Sequence, residues 1–249
     1  MDAFFIVQVL LGAAAAGFIQ GLSGFAFGLV ALSFWAWSID PRLAGPMVVF
    51  GSLVGQIGSL PAIWHHFDWR RALPFIIGGV AGVPVGVWLL AIVDIDIFRT
   101  TVGVLLLVYC SAMLMVDSLP PITRGGRLAD GVAGWIGGVM GGLGGLNGPA
   151  PTLWCSLRAW DKDTQRVIFQ TFSLTMQFLT LAAYAAGNML TPTAWRTFVL
   201  MIPAVLLPVW AGVRIYRRLS GFAFRRLILV LLLGSGLALC TPAALHLLR

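Results

Sequence analysis

The sequence predicts an all-α membrane protein, a bundle of about eight transmembrane helices in two homologous halves. Three observations predict it. Apolar residues make up 59% of the 249 residues and charged residues only 10%, against about 25% charged in a soluble domain. Apolar runs long enough to cross a hydrocarbon core of about 30 Å recur along the whole chain. A glycine-rich pattern near the start returns, in the same order, in the second half.

The apolar runs cover residues 3–37, 43–64, 72–93, 97–116, 129–157, 167–187, 194–213 and 225–247. They are continuous, and a membrane β-barrel would instead show alternating segments of about ten residues, so helices are expected. Trp64, Trp69, Trp160 and Trp195 fall near run ends, where aromatic belts form. The short loops hold most of the charge. The chain carries a net +7, 15 of its 16 basic residues are arginine and all nine acids are aspartate. These arginines lie between apolar runs and form no single face, which speaks against nucleic-acid binding and for topogenic loops. With eight full crossings, Arg42, Arg99, the 158–166 loop and the 214–226 loop share the more basic, cytoplasmic side. Cys110, Cys155 and Cys240 lie singly in apolar runs and read as packing residues. No basic start or cleavage site marks the first run as a signal peptide, so it is expected to stay.

Runs 1 and 5 are too long for one crossing, and glycine interrupts both. The first break reads Gly17-Phe-Ile-Gln-Gly21-Leu-Ser-Gly24-Phe-Ala-Phe-Gly28. The second runs from Gly134 through Gly138, Gly141, Gly144, Gly145 and Asn147 to Gly148-Pro149. Glycine and proline both weaken a helix, so each run is expected to be a glycine-broken helix or a re-entrant hairpin. Hairpins would change the charge count and invert one half against the other. The breaks align at an offset of 117, Ser52 and Gln56 with Ser173 and Gln177 at 121, and Trp69-Arg70 and Phe98-Arg99 with Trp195-Arg196 and Phe224-Arg225 at 126. This ordered set reads as an internal duplication: a first repeat over 1–116, a linker over 117–128 and a second repeat over 129–249.

Paired broken helices in corresponding positions point to a transport site. An interrupted helix exposes backbone N–H groups and a positive dipole end, which an anion can satisfy. Glycine also permits close helix packing at small-xxx-small spacing, and both readings stay open for these glycines. Gln20 and Ser23 flank the first break and Asn147 lies in the second. Gln56 and Gln177 each follow a serine by four residues, which sets a hydroxyl and an amide on one helix face. Each can bind an oxyanion or a neighbouring helix; Gln170 ranks below them. The candidate substrate-binding set is therefore Gln20, Gly21, Ser23, Gly24, Gln56, Gly144, Gly145, Asn147 and Gln177.

Arg99 and Arg225 begin spans and read as head-group anchors. His65 and His66 end run 2 and read as interfacial, and no carboxylate lies clearly in mid-span. Gly21-Leu22-Ser23-Gly24 also resembles the G-x-S-G of rhomboid intramembrane proteases, with His65 or His66 as the base. That family places its serine late in the bundle, and here Met140 occupies the matching place in the second half. An enzyme is not expected.

The two glycine-rich openings together, with Gly148-Pro149-Ala-Pro151, Trp69-Arg70 and Phe98-Arg99, resemble the sulfite exporter TauE/SafE family, also called the 4-toluene sulfonate uptake permeases. The resemblance covers nearly the whole chain. It implies a permease or exporter of a small sulfur-containing anion such as sulfite, an organosulfonate or thiosulfate, set in a bacterial inner membrane as a multi-pass protein. Asn147 stands where that family more often has glycine. Expected partners are the lipid bilayer and the anion; a coupling proton or sodium and a homodimer stay open. No cofactor or metal is expected. The alternatives are a carrier for another small anion or metabolite and the intramembrane serine protease.

Overall fold

The structure, a computed structural model, describes residues 3–24, 26–59, 69–115, 122, 125–158, 160, 162–216 and 233. The side chains of residues 69, 95, 99, 162, 163, 166 and 216 are outside that description. Apart from Leu233, run 8, with Arg225 and Cys240, lies outside the described residues, as do Trp64, His65 and His66. The chain forms α1 Ala3–Ser23, α2 Phe27–Trp35, α3 Pro41–Ser59, α4 Trp69–Ile92, α5 Ile95–Met115, α6 Gly126–Gly144, α7 Pro149–Leu157, α8 Lys162–Ala186 and α9 Pro192–Tyr216. Among the described residues, five helices are long and apolar enough to cross a membrane: α1, α4, α5, α8 and α9. Large apolar side chains face outward on them, among them Phe4, Trp88, Leu207 and Trp210. Such a surface suits lipid and not water.

Runs 1 and 5 both break and turn back. At the first break α1 ends at Ser23 and Gly24 takes φ +84°, a conformation open to glycine at little cost. At the second, Gly145 caps α6 at φ +71° and Pro149 starts α7 at a position that needs no N–H donor. The returning helices lie alongside their partners. Trp35 Nε1 donates to Gln8 O at 3.3 Å and Gln8 Nε2 to Phe34 O at 2.8 Å, which brings the end of α2 back to the start of α1. In run 5, Ile122 N–H donates to Leu157 O at 2.8 Å and Arg158 Nη1 to Gly126 O at 3.4 Å. Each run is thus an antiparallel helical hairpin.

Glycine ladders join the hairpins to distant helices. A methyl placed on Gly78 or Gly86 of α4 would overlap the carbonyl oxygens of Gly131 or Val139 on α6. Gly134 and Gly138 meet the backbones of Phe75 and Gly79 in return. The numbering rises together on both helices, so α4 and α6 run parallel. In the same way Gly17 meets Val205 and Gly21 meets Val209, and α1 runs parallel to α9. Small residues let the backbones approach this closely. Helices α3 and α8 cross antiparallel, with Gly45 near the Tyr184 hydroxyl and Ser52 bonded to Gln177.

The hairpins overturn the loop arrangement expected from eight full crossings. Arg42, Arg99 and Arg196 lie at one end of the bundle. Arg70, Arg71, Arg127, Arg158, Lys162, Arg166 and Arg214 lie at the other, so the division is seven to three among the described helices. Arg42 and Arg99 therefore do not share an end with Arg158 and Arg214, because runs 1 and 5 return to the end they start from.

Candidate functional site

The two hairpin tips meet. A methyl on Gly28, at the start of α2, would stand 2.9 Å from Gly145 O and 3.2 Å from the Leu146 side chain. Each hairpin then sends one amide to the crossing of α3 and α8. Gln20 Nε2 donates to Ser52 O at 2.9 Å, and Asn147 Nδ2 donates to Ser173 O at 3.2 Å. Ser52 and Ser173 are the residues matched at an offset of 121 in the sequence, so both amides reach equivalent carbonyls. Gln56 Nε2 donates to Gly24 O at 3.1 Å and ties α3 to the first break. Gln177 Nε2 donates to Ser52 Oγ and ties α8 to α3. Gln20, Gln56, Asn147 and Gln177 are all buried.

The two central helices carry matching polar stripes. On α3 the stripe is Ser52, Gln56 and Ser59; on α8 it is Ser173, Gln177 and Thr180, each at an offset of 121 and each buried. Ser59 and Thr180 extend the match by another turn, and the same offset would have found them in the sequence. Gln170 continues the α8 stripe, but its counterpart on α3 is Val49. Gln170 is 2% exposed. Its Nε2 lies 3.7 Å from where a Gly24 methyl would stand. Among the described residues neither amide atom of Gln170 has a partner, and neither do Gln20 Oε1, Gln177 Oε1 or Thr180 Oγ1. Buried polar atoms are nearly always paired, so these atoms are unusual.

The remaining candidates divide. Gly24 and Gly145 sit in the breaks at positive φ. Gly144 makes ordinary contacts with Phe98 and Leu32. Gly21 faces the α9 backbone, where packing accounts for it. Ser23 Oγ donates to Ile19 O at 2.8 Å and accepts the Ala26 N–H at 3.2 Å, a bridging role across the first break. Cys110 and Cys155 are buried free thiols.

Sequence reading missed a buried carboxylate. Asp130 on α6 pairs with Arg158 Nη1 at 2.8 Å and accepts from Trp154 Nε1 at 2.8 Å. The Arg158 guanidinium also lies 4.8 Å from the Trp160 ring. The group holds the end of α7 against the start of α6. Its signal was an aspartate 28 residues before an arginine, which spacing alone does not reveal; only the hairpin brings them together.

Over 248 residues the chain is 25% identical to the "Probable sulfite/organosulfonate exporter TauE" of Cupriavidus necator, covering 95% of this chain and 93% of that protein. No solved structure matches it. The pattern of the TauE/SafE sulfite exporters matches residues 9–239, and the chain belongs to the sulfite exporter TauE/SafE family.

Proposed function

We propose that the protein is a secondary carrier for a small sulfur oxyanion such as sulfite, an organosulfonate or thiosulfate, working in a bacterial inner membrane. One observation carries the reading. Two hairpin tips meet and deliver Gln20 and Asn147 to matched carbonyls where α3 and α8 cross. The amides and glycine-rich tips of that crossing, Gln20, Gly24, Gln56, Gly145, Asn147 and Gln177, form the binding site. Residues 1–116 and 129–249 are two inverted repeats, a reading supported by the hairpins, the antiparallel crossing and the paired parallel contacts α1 with α9 and α4 with α6. Rocking of one repeat against the other about a shared site is the ordinary route to alternating access. The end holding seven basic residues is cytoplasmic by the positive-inside rule, which sets the start of α1 outside.

Flux of labelled sulfite and sulfonates in proteoliposomes tests the reading, with pH and sodium gradients imposed separately to identify the coupling ion. Gln56→Leu removes the donor on Gly24 O, and Gln177→Leu removes the tie to Ser52. Each is expected to abolish flux and leave membrane insertion intact. Normal transport by both variants refutes their role.

A further inference from the structure

The amides around the first break are oriented by their partners. Ser52 O and Gly24 O are carbonyls and only accept, so the atoms facing them are the NH₂ groups of Gln20 and Gln56. That assignment leaves Gln20 Oε1 as a fixed acceptor, fully buried and without a partner among the described residues. Gln170, beside Gly24, presents a whole amide edge, one donor and one acceptor, likewise without a partner. The Gln177 amide faces a hydroxyl, which can donate or accept, so it sets no such constraint.

A fixed acceptor discriminates among anions. A fully ionised oxyanion such as sulfate, or a plain alkanesulfonate, offers only acceptors. Bound here, it would leave Gln20 Oε1 and Gln170 Oε1 unpaired and turn their negative ends toward like charge. An anion with its own N–H or O–H pairs with these oxygens and still accepts from Gln170 Nε2. We propose that the site selects sulfur oxyanions carrying a hydrogen-bond donor of their own, and that Gln170 and Gln20 read that donor. Two ligands meet the description, hydrogensulfite and an ammonium-bearing sulfonate. The inference rests on the carrier reading above and adds Gln170 to the site as the residue without a counterpart in the first repeat.

The test is counterflow of labelled sulfite into proteoliposomes holding the full chain. Competitors are unlabelled sulfite, 2-aminoethanesulfonate, ethanesulfonate and sulfate. Donor-bearing anions are expected to compete roughly tenfold to hundredfold better than ethanesulfonate and sulfate, the scale on which a buried polar group left unpaired penalises a ligand. Lowering the pH through the ionisation of sulfite strengthens its competition if hydrogensulfite is the species bound. Competition by 2-aminoethanesulfonate stays flat over that range and identifies the ammonium source. Gln170→Met, which keeps the length and removes the amide, should bring the four competitors to within about threefold of one another; retention of the full gap by a folded Gln170→Met removes Gln170 from the reading. The wild-type panel decides the selectivity without any variant. Equal competition by sulfate and 2-aminoethanesulfonate overturns the inference and leaves the carrier standing. Absence of any sulfite or sulfonate counterflow overturns both.

Discussion

Replacing Gly24 with alanine separates the two roles that glycine can have at a helix break. Gly24 adopts φ +84°, where a side chain costs roughly 1–2 kcal/mol. The space around it is ample: the new methyl meets Gln170 Nε2 at 3.7 Å, an ordinary contact. The bonds from Gly24 N–H to Gln20 O at 2.7 Å and from Gln56 Nε2 to Gly24 O at 3.1 Å use only the main-chain atoms of Gly24 and survive. The variant should therefore insert and fold, with a loss of about 1–2 kcal/mol in denaturant titration. Transport should suffer far more, because the methyl takes up space beside Gln170 in the proposed anion site. Gln170 itself need not move, but an anion seated there would have to, and misplacing a bound group by about 1 Å costs on the order of a hundredfold, so sulfite counterflow should fall roughly tenfold to a hundredfold. Gly78→Ala is the contrasting case. Its methyl overlaps the Gly131 carbonyl oxygen on a neighbouring helix, so it should fail in assembly first. Wild-type flux by a Gly24→Ala protein, or a loss of flux no larger than its loss of folded protein, would refute the cradle and leave packing as the role of this glycine.

Two further predictions follow from the hairpins. Asp130→Ala leaves Arg158 unpaired beside Trp154 and Trp160 and should cost about 3–5 kcal/mol, whereas Asp130→Leu combined with Arg158→Met should cost clearly less; unchanged stability of Asp130→Ala in the same titration would show that the pair does not hold the hairpin. For topology, in a background with all three cysteines replaced, a membrane-impermeant maleimide should label Ala3→Cys from outside intact cells and Arg127→Cys only in inside-out vesicles. Labelling of both from one side would restore eight full crossings and remove the inverted repeat.

The helical membrane fold was legible because its cause is composition. With one residue in ten charged, only lipid can face most of the surface, and lipid admits only closed backbone hydrogen bonding. The breaks were legible for a local reason, since Gly24, Gly145 and Pro149 each supply a conformation that other residues resist. The direction of the chain after each break was not. A helix that continues and a helix that returns require the same apolar residues, and the choice is made by contacts between residues far apart, such as Gln8 with Trp35 and Asp130 with Arg158. The site was legible in its residue types, as buried amides and hydroxyls in matched positions. Its hydrogen-bond sense was not. From the sequence these amides can meet an oxyanion or a neighbouring helix alike; the structure commits an N–H of Gln20 and of Gln56 to a main-chain carbonyl, and among the described residues the Gln20 oxygen is left without a partner.

That placement bears on why the breaks persist. A packing role alone would be served by continuous helices, and the glycine ladders on α4 with α6 and α1 with α9 show that this chain builds such contacts without interrupting them. The hairpin tips do something those ladders do not. They bring main-chain carbonyls and amide side chains to one crossing and, among the described residues, leave several buried polar atoms without a partner, each costing about 1–3 kcal/mol if it stays so. A chain that only needed stability would fill such positions with apolar side chains, as it does at most of its buried positions. The cost is offset when a solute supplies the missing bonds, and it returns when the solute leaves. A site of that kind binds well enough to select and weakly enough to release, which is what a carrier requires of its central crossing.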